Sequence, residues 1–296
     1  MEIGQMNEQA RNTNKARLLI SCGDQPGIVA AVSQFLYGQG ANIGESNQHS
    51  TDPEAGMFFM RVEFEIDHLH ERADGLKLAF SKIASEFNMD WRLSLASKRK
   101  RTAIFVSKEP HCLLELLWEY QNGDLDADIS LVISNHETSK GLVESLGIPF
   151  YYIPANKDIR QEVEEKQLQL LAEYNIELII LARYMQILTP NFVSKHPHRI
   201  INIHHSFLPA FIGAKPYERA YNRGVKLIGA TSHYVTNDLD EGPIIEQGVE
   251  RVSHHHNAED LRKIGRSIER SVLARAVNWH LQDRVLVHEN KTIVFN

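Results

Sequence analysis

The chain has 296 residues, of which 43% are hydrophobic and 24% charged, a composition typical of a folded globular protein of about two domains. Lysine and arginine total 32 against 38 for aspartate and glutamate, and the resulting net charge of −6 disfavours a protein that binds nucleic acid by broad phosphate neutralisation. Two cysteines, a polar N-terminus and the absence of a long apolar run exclude a disulfide framework, a secretory leader and a membrane span, so we expect a cytoplasmic protein.

The first part of the chain predicts a compact unit of order βαββαβ, a ferredoxin-like α+β domain over residues 16–97 that follows a polar tail. Strands are predicted over 16–22, 41–50, 57–66 and 89–95, and helices over 28–40 and 68–87. Charged and apolar residues alternate within 57–66, which is typical of a half-buried strand. Asp24 is the expected N-cap of the first helix, with Pro26 in its first turn.

The basic run 98–101 is interpreted as a solvated linker, after which the pattern predicts a second domain over 101–296. Buried strands at 102–107, 129–134, 150–153, 176–182 and 199–203 alternate with helices at 111–121, 138–146 and 160–174. This alternation indicates a mostly parallel, Rossmann-like sheet covered on both faces. A last helix over 257–283, capped by Asn257, is expected to pack its apolar stripe on the sheet. Sites in such sheets lie at the carboxyl ends of strands, here just after Ala182 and Ile203.

Three segments at these strand ends carry possible chemistry. Asn202 and His204 lie two residues apart in a strand and so project to the same side. An amide can stabilise an oxyanion and an imidazole can transfer protons, but strand-end hydrogen bonding explains the pair equally well. Asp240 follows in an Asp-rich loop, where turn formation is the common role. The apolar segment 183–190 can line a flat pocket, although its pattern alone favours core packing.

Taken together, the three segments resemble the folate-dependent formyltransferase superfamily. The family patterns NIHPSLLP, HxVT(D)xLDxGP and AG[FY]Mx[IL]L correspond here to NIHHSFLP at 202–209, HYVTNDLDEGP at 233–243 and ARYMQIL at 182–188. The resemblance covers about residues 100–285 and implies that Asn202, His204 and Asp240 are catalytic. It also implies a pterin site formed by Arg183, Tyr184, Met185, Gln186, Ile187, Leu188, His233, Val235, Thr236 and Asn237, in which His233 supports the catalytic aspartate.

One departure from the family pattern bears on the reaction. Members that formylate an amine on a phosphorylated substrate have a glycine-rich phosphate loop after the first strand, whereas residues 107–113 here contain no glycine and include Glu109. Backbone N–H groups at such a loop are what bind phosphate, so the resemblance without the loop implies water as the acceptor.

The N-terminal unit resembles an ACT domain through DQPGIV at 24–29 and GANI at 40–43. An ACT domain joined to a formyltransferase-like domain is the arrangement of the formyltetrahydrofolate deformylase family. This resemblance implies hydrolysis of 10-formyltetrahydrofolate, formate supply for purine synthesis, balance of one-carbon folate pools, and a homo-oligomer, dimer or tetramer. It further implies an amino-acid effector bound by the ACT residues Asp24, Gln25, Gly27, Asn42 and Ile43.

Two other functions stay open from the residues alone: a formyltransferase acting on an amine, and a non-catalytic folate or amino-acid sensor. The complete set of amide, imidazole and carboxylate disfavours the sensor. We expect no cofactor beyond the folate substrate and no metal, and the consecutive histidines 254–256 are interpreted as a surface loop. His205 is expected to face away from His204 in a structural role.

Overall fold

A computed structural model describes residues 13–52, 56–156, 159–210 and 216–296. The chain divides into two compact units, the first containing residues up to 99 together with 282–286 and 293–296, the second containing 100–281 and 287–292. The predicted polar tail lies almost entirely outside the described residues. None of the helices in the described part of the chain has the length and apolar character that crossing a membrane requires.

The first unit is an antiparallel sheet covered on one face by two helices. Its elements are β1 (Lys15–Gly23), α1 (Ile28–Gly38), β2 (Asn42–Ser50), β3 (Met57–Glu65), α2 (Leu69–Glu86) and β4 (Asp90–Leu95), and the strand order is β2-β3-β1-β4. Alternate residues of β1, such as Leu18 and Ile20, pack with buried residues of both helices, such as Val32 and Phe80. The order and the bounds confirm the predicted ferredoxin-like domain to within a few residues.

The start of α1 differs from the prediction. Gly27, with φ of 97°, occupies the N-cap position, and its carbonyl accepts the N–H of Ala31. Asp24 lies three residues earlier, where its backbone N–H donates to the carbonyl of Gly56 at 2.8 Å. The prediction of Asp24 as the cap was therefore wrong, because the chain needs these residues to leave the sheet before it turns into the helix.

A buried arginine organises the uncovered face of the first unit. Arg61 is 1% exposed, and its guanidinium contacts Glu45 at 2.8 Å and Glu63 at 3.0 Å. Its Nε donates to the backbone carbonyl of Asp283 at 3.1 Å, while the Asp283 carboxylate accepts from Arg92 at 3.1 Å. These contacts explain why residues 282–286 belong to the first unit, whereas the sequence assigned everything from 101 to 296 to the second domain.

The second unit is a seven-stranded sheet with helices on both faces. Its elements are β5 (Lys100–Val106), α3 (His111–Asn122), β6 (Ala127–Ser134), α4 (Lys140–Ser145), β7 (Phe150–Tyr152), α5 (Arg160–Glu173), β8 (Leu178–Ala182), α6 (Pro190–Ser194), β9 (Ile200–His204), α7 (Pro216–Arg223), β10 (Leu227–Tyr234), β11 (Ile244–Arg251) and α8 (Ala258–Leu281). The strand order is β11-β10-β9-β8-β5-β6-β7. Strands β9 to β7 in that order run parallel, and β10 is antiparallel to both of its neighbours. The mostly parallel sheet is as predicted.

Half of the basic run is strand rather than linker. Lys100 and Arg101 open β5; Nζ of Lys100 donates to the carbonyls of His280 at 3.2 Å and Leu281 at 2.9 Å, and Arg101 pairs with Asp128 at 3.1 Å. The linker prediction for these two residues was wrong, because partners distant in sequence satisfy both charges.

The long helix α8 begins as predicted. The side chain of Asn257 accepts the N–H groups of Glu259 at 2.8 Å and Asp260 at 3.1 Å, and Asp260 accepts the N–H of Asn257 at 3.0 Å. This reciprocal cap satisfies N–H groups that the first turn leaves unpaired. The apolar stripe is buried, including Val272, Leu273 and Val277. The sequence analysis missed β11 and a C-terminal pair of short strands, β12 (Val285–His288) and β13 (Lys291–Val294).

Candidate active site

A cleft of about 430 Å³ lies at the carboxyl ends of β8 and β9. The cleft brings together all the residues predicted as catalytic or substrate-binding, namely Arg183, Tyr184, Met185, Gln186, Ile187, Leu188, Asn202, His204, His233, Val235, Thr236, Asn237 and Asp240. Four residues outside the prediction, Leu181, Ile203, His205 and Leu239, complete its lining. Residues from three separate segments of the chain therefore meet at one place.

Strand register places the amide beside one of the imidazoles. Asn202 on β9 lies opposite His233 on β10, and directly opposed residues of an antiparallel pair share a face. The two side chains contact at 3.2 Å between Nδ2 and Nε2. Nδ1 of His233 lies 2.9 Å from the carbonyl of Tyr234, which can only accept, so this nitrogen carries the hydrogen and Nε2 accepts from Asn202. Burial lowers the pKa of His233, which agrees with a neutral ring that orients the amide.

The carboxylate lies beside both imidazoles. Oδ2 of Asp240 is 3.2 Å from Nδ1 of His204, and Oδ1 is 3.8 Å from Nε2 of His233. Burial on its own would raise the pKa of Asp240, but the hydrogen bond from His204 outweighs it and holds the pKa below its usual value. Asp240 is therefore an ionised carboxylate at neutral pH.

The loop that carries Asp240 is held by a close backbone approach. The N–H of Tyr234 donates to the carbonyl of Pro243 at 2.9 Å, which closes the loop between them. A Cβ at Gly242 would lie 1.8 Å from the Tyr234 carbonyl oxygen, so only glycine fits there. Asp240 itself has φ of 59°, a left-handed conformation that aspartate adopts more readily than most residues. Together these features direct the carboxylate back over the strand ends.

His204 presents one ring nitrogen to the cleft. Its Nδ1 faces Asp240, and its Nε2 is buried and has no hydrogen-bond partner in the described part of the chain. Buried polar atoms are normally paired, so an unpaired Nε2 in a cleft wall indicates an atom that can bind a ligand. The arrangement can donate to, or accept from, a group bound between His204 and Asn202.

Exposed apolar side chains form another part of the cleft wall. Met185 is 56% exposed, Ile187 52% and Leu239 59%. The sequence pattern alone favoured core packing for the segment containing Met185 and Ile187, but both side chains face the cleft because the chain leaves the sheet after β8. The backbone N–H of Met185 is fixed by a 3.0 Å hydrogen bond to Oγ of Ser107 at the end of β5. A wall of this kind suits a flat, largely apolar ring.

Glu269 of α8 is a buried functional candidate that the sequence analysis missed. It is 1% exposed and contacts Nε2 of His111 at 2.7 Å, the hydroxyl of Tyr217 at 2.5 Å and Nε of Arg183 at 3.4 Å. Burial would raise its pKa, but the hydrogen bond from His111 and the charge of Arg183 hold the pKa below the usual value. One signal in the sequence could have identified it: Glu269 is a carboxylate that lies four residues after Gly265, on the stripe of the helix that is otherwise apolar and buried.

His205 does not face away from the cleft. Its ring centroid is 5.3 Å from that of His204, and it lines the same cleft. The expectation of an opposite orientation was wrong, because β9 ends at His204 and strand alternation ends with it. Burial, with repulsion from Arg183, lowers the pKa of His205 to about 4.

The consecutive histidines lie in a turn, as predicted. His254 and His255 are exposed, and Nδ1 of His256 accepts the N–H of Ser253 at 3.0 Å. Among the described residues, the cluster whose side chains approach metal-ligand spacing is instead His111, Cys112 and Glu269.

The five predicted effector residues do not form one site within the chain. Asp24, Gln25 and Gly27 follow the end of β1 that pairs with Met57, whereas Asn42 and Ile43 pair with the opposite end of β3. Met57 and Glu65 are eight residue steps apart along β3, about 26 Å at 3.3 Å per residue. The two groups therefore lie at opposite ends of the sheet.

Comparisons with known proteins agree with this architecture. Residues 100–277 match the family model "Formyl transferase" and residues 16–74 match "ACT domain". The formyltetrahydrofolate deformylase of Bacillus subtilis (strain 168) is 69% identical, over 96% of this chain and 95% of the relative. The crystal structure of a formyltetrahydrofolate deformylase from Pseudomonas syringae pv. tomato superposes with a TM-score of 0.93 at 46% identity, covering 100% of this chain and 99% of that one.

A structure from the transferase branch covers less of the chain. Glycinamide ribonucleotide transformylase 1 from Symbiobacterium toebii superposes with a TM-score of 0.63 at 27% identity, over 67% of this chain and 95% of its own. Both the family-model matches and the near full-length identity point the same way. The chain belongs to the formyl transferase family and, within it, to the formyltetrahydrofolate deformylases.

Proposed function

We propose that the cleft hydrolyses 10-formyltetrahydrofolate to formate and tetrahydrofolate, with water as the formyl acceptor. The observation that carries this proposal is the meeting of the Asn202 amide, the free Nε2 of His204 and the Asp240 carboxylate in one cleft. The exposed wall containing Met185 and Ile187 receives the pterin. The formyl group on N10 then reaches the three polar side chains. The steps use side chains and water only, with no cofactor and no metal.

The first step is attack of water on the formyl carbon. Ionised Asp240 accepts a hydrogen bond from the water and takes one of its protons as the new C–O bond forms. The negative charge that develops on the formyl oxygen is stabilised by Nδ2–H of Asn202 and by Nε2–H of His204. His233 holds the Asn202 amide in the donating orientation. Loss of one such donor typically reduces the rate by about 10²–10³.

The second step is collapse of the tetrahedral intermediate. The proton held by Asp240 passes to N10, the C–N bond breaks, and tetrahydrofolate leaves with that proton. The formyl carbon, with the oxygen from water, leaves as formate, and its remaining acidic proton goes to solvent. The hydrogen bond between Nδ1 of His204 and Asp240 is then restored for the next turnover.

The alternative of amine formylation is disfavoured by the segment after β5. Residues 107–110 lack the glycine-rich phosphate loop, and Glu109 and buried Glu269 place negative charge near the helix that follows. A phosphorylated acceptor would meet these carboxylates at close range. Water needs no such binding site.

The test is to incubate the protein with 10-formyltetrahydrofolate alone and measure free formate. Wild-type protein is expected to release formate stoichiometrically with tetrahydrofolate. Asp240→Asn and His204→Ala are expected to abolish the release, while folate binding, measured by fluorescence quenching, survives. Asp238→Asn, an exposed carboxylate of the same loop, is the matched control and should turn over normally. Formate release that requires an added amine, or wild-type turnover by Asp240→Asn, would overturn the proposal.

We also propose a cellular role: the enzyme works in the cytoplasm, supplies formate for purine synthesis and balances the one-carbon folate pools. Both cysteines, Cys22 and Cys112, are free and buried, which suits a reducing compartment.

The ACT domain supports a proposal of regulation in a homo-oligomer. Strand β2 is an edge of its sheet, and Ile43 on it is 38% exposed. Antiparallel pairing of β2 with β2 of a second copy, about a two-fold axis, would place Asn42 and Ile43 of one protomer at the same end of the joined sheet as Asp24, Gln25 and Gly27 of its partner. An amino acid bound there would regulate turnover.

Glycine and methionine are the effectors to test first. We expect one of them to change the rate of formate release by more than about threefold, and Asn42→Ala to weaken the response. Light scattering should report a dimer or tetramer. A monomer with full activity and no response to either amino acid would contradict this part of the proposal.

A further inference from the structure

A second cavity, of about 240 Å³, adjoins the folate cleft. Its lining includes Glu109, Arg266 and Glu269, and it shares Arg183 and His205 with the cleft. These two shared side chains therefore form the boundary between the place where the formyl group reacts and the second cavity. The steps proposed above leave this cavity unused.

The guanidinium of Arg183 lies at this boundary and has a hydrogen-bond donor that is not used within the described residues. The residue ends β8 in a left-handed conformation, φ 63°, and its side chain pairs with Glu269 through Nε at 3.4 Å. Both oxygens of Glu269 are also taken by His111 and Tyr217. Nη1 of Arg183 is buried and has no hydrogen-bond acceptor among the described residues. A buried guanidinium N–H without an acceptor is costly, and an anion in the cavity would satisfy it.

A second arginine in the lining is unpaired. Arg266 is half-buried and makes neither an ion pair nor a hydrogen bond within the described ranges, whereas the neighbouring Arg262 pairs with Glu218 at 2.6 Å. Since the charge of Arg262 is balanced by Glu218, the lining arginines left to face Glu109 and Glu269 are Arg183 and Arg266. The first turn of α3, which begins at His111 and has no side-chain cap, adds the partial positive charge of a helix N-terminus.

We propose that this cavity receives the formate ion that the cleft produces, holding it between Arg183 and Arg266 on its way to solvent. The inference rests on the proposed hydrolysis. The free Nη1–H of Arg183 and the unpaired guanidinium of Arg266 are donors enough for a monoanion, and the two glutamates oppose a phosphate dianion. The volume holds formate with several waters, since a water takes about 30 Å³.

The same region does not suit a cation. His111, Cys112 and Glu269 approach metal-ligand spacing, but the Glu269 carboxylate already has three partners, one of them the Arg183 cation. Burial raises the pKa of the Cys112 thiol well above its usual value, so the thiolate that a soft metal needs is disfavoured. The charge arrangement therefore selects an anion.

The test measures binding of ¹³C-formate by NMR with folic acid saturating the cleft, so that no turnover is needed. Formate is expected to bind wild-type protein in the presence of folic acid, and Arg266→Gln should weaken this binding by about tenfold or more. Arg266→Lys, which keeps the charge but not the planar fork, should give an intermediate affinity. Arg270→Gln is the matched control, since Arg270 lies one turn further along α8, pairs with Glu115 at 3.6 Å and is outside the cavity lining; it should retain wild-type affinity.

Three results would overturn the inference: formate affinity unchanged in Arg266→Gln, complete displacement of formate by folic acid, or tighter binding of sulfate than of formate at equal ionic strength. Failure of the wild-type protein to release formate from 10-formyltetrahydrofolate would instead overturn the proposed hydrolysis. The two failures are read from different experiments and are therefore distinguishable.

Discussion

At the scale of single residues, the adjacent histidines His204 and His205 have different roles in the site. His204 is fixed by Asp240 and offers Nε2 to the cleft, while His205 stands between two cavities and is kept neutral by burial and by Arg183. His233, across the strand pair, accepts from Asn202. Each role follows from the partner of one ring nitrogen rather than from the residue type.

The neutral state of His205 predicts a pH-dependent stability. Its pKa falls from 6.5 in the unfolded chain to about 4 in the folded one. The unfolded state therefore binds more protons between these values, so the contribution of the neutral ring is complete above pH 6.5 and is lost as the pH falls toward 4. Between pH 7.5 and pH 5, urea unfolding should show wild-type protein losing about 1–2 kcal/mol more than His205→Gln.

The control for this measurement is His254→Gln, on an exposed turn, which should lose stability on acidification as wild type does. An identical pH dependence of wild type and His205→Gln would show that the His205 ring is not kept neutral by the fold.

The site residues could be found from sequence because they sit in local motifs at strand ends. Asn202 and His204 share a face through strand alternation, and Asp240 lies in a recognisable loop. Arg183 was identified, but its partner Glu269 was not, since 86 residues separate them and only the fold brings α8 to the end of β8. A contact between residues so far apart in sequence produces no periodic pattern from which it could be predicted.

At the scale of elements, the contact of α7 with α8 supports the same buried carboxylate. Tyr217 reaches Glu269 only because Gly265 leaves room for its ring, and a Cβ at Gly265 would lie 2.0 Å from the tyrosine oxygen. Close approach of this kind requires glycine even within a helix, where glycine is otherwise unfavourable.

We expect Gly265→Ala to destabilise the protein by about 1–3 kcal/mol, because the methyl group must displace Tyr217 and break its hydrogen bond. The measurement is the unfolding midpoint in urea. Gly75→Ala is the matched control: Gly75 is exposed on α2 with no atom within 4 Å of the added methyl, so this change should stabilise by about 0.5–1 kcal/mol. Equal effects of the two substitutions would contradict the packing described for Tyr217.

Helices and strands with clear periodicity were predicted to within a few residues, as for α2 and β3. The strands β11, β12 and β13 were missed: β11 is largely exposed and lacks a regular alternation, and β12 and β13 are only four residues long. Asp24 was assigned as a cap from its residue type, whereas the actual cap, Gly27, is set by backbone conformation. Local propensity fails where the surrounding structure decides.

At the scale of the whole molecule, the division into units is not collinear with the sequence. Residues 282–286 and 293–296 join the first unit, although residues 100–281 of the second unit precede them in the chain. Arg61 anchors the first of these segments by donating to the carbonyls of Gln282 and Asp283, and the N–H of Phe295 in turn donates to the carbonyl of Arg284. The boundary near residue 99 could be predicted because a basic run lies there. No local pattern in the sequence indicates that residues 282–286 belong to the first unit again.

Arg61→Met is expected to destabilise the first unit by about 3–5 kcal/mol, because Glu63 and the two carbonyls lose a buried cation. Hydrogen exchange at residues 282–286 should accelerate accordingly. Lys77→Met, which removes an exposed ion pair with Asp74 on α2, is the control and should change stability by no more than about 1 kcal/mol. Unaltered exchange at 282–286 in Arg61→Met would contradict the anchoring role of this residue.

The return of the C-terminal segment has a consequence for biosynthesis. The ribosome completes the strands and helices of the first unit when fewer than half of the codons have been read, yet the backbone carbonyls that Arg61 binds are encoded near the end of the message. The first unit to emerge is therefore the last to be finished. A nascent chain stalled before residue 282 would carry an arginine and its glutamates at a sheet face still awaiting its cover.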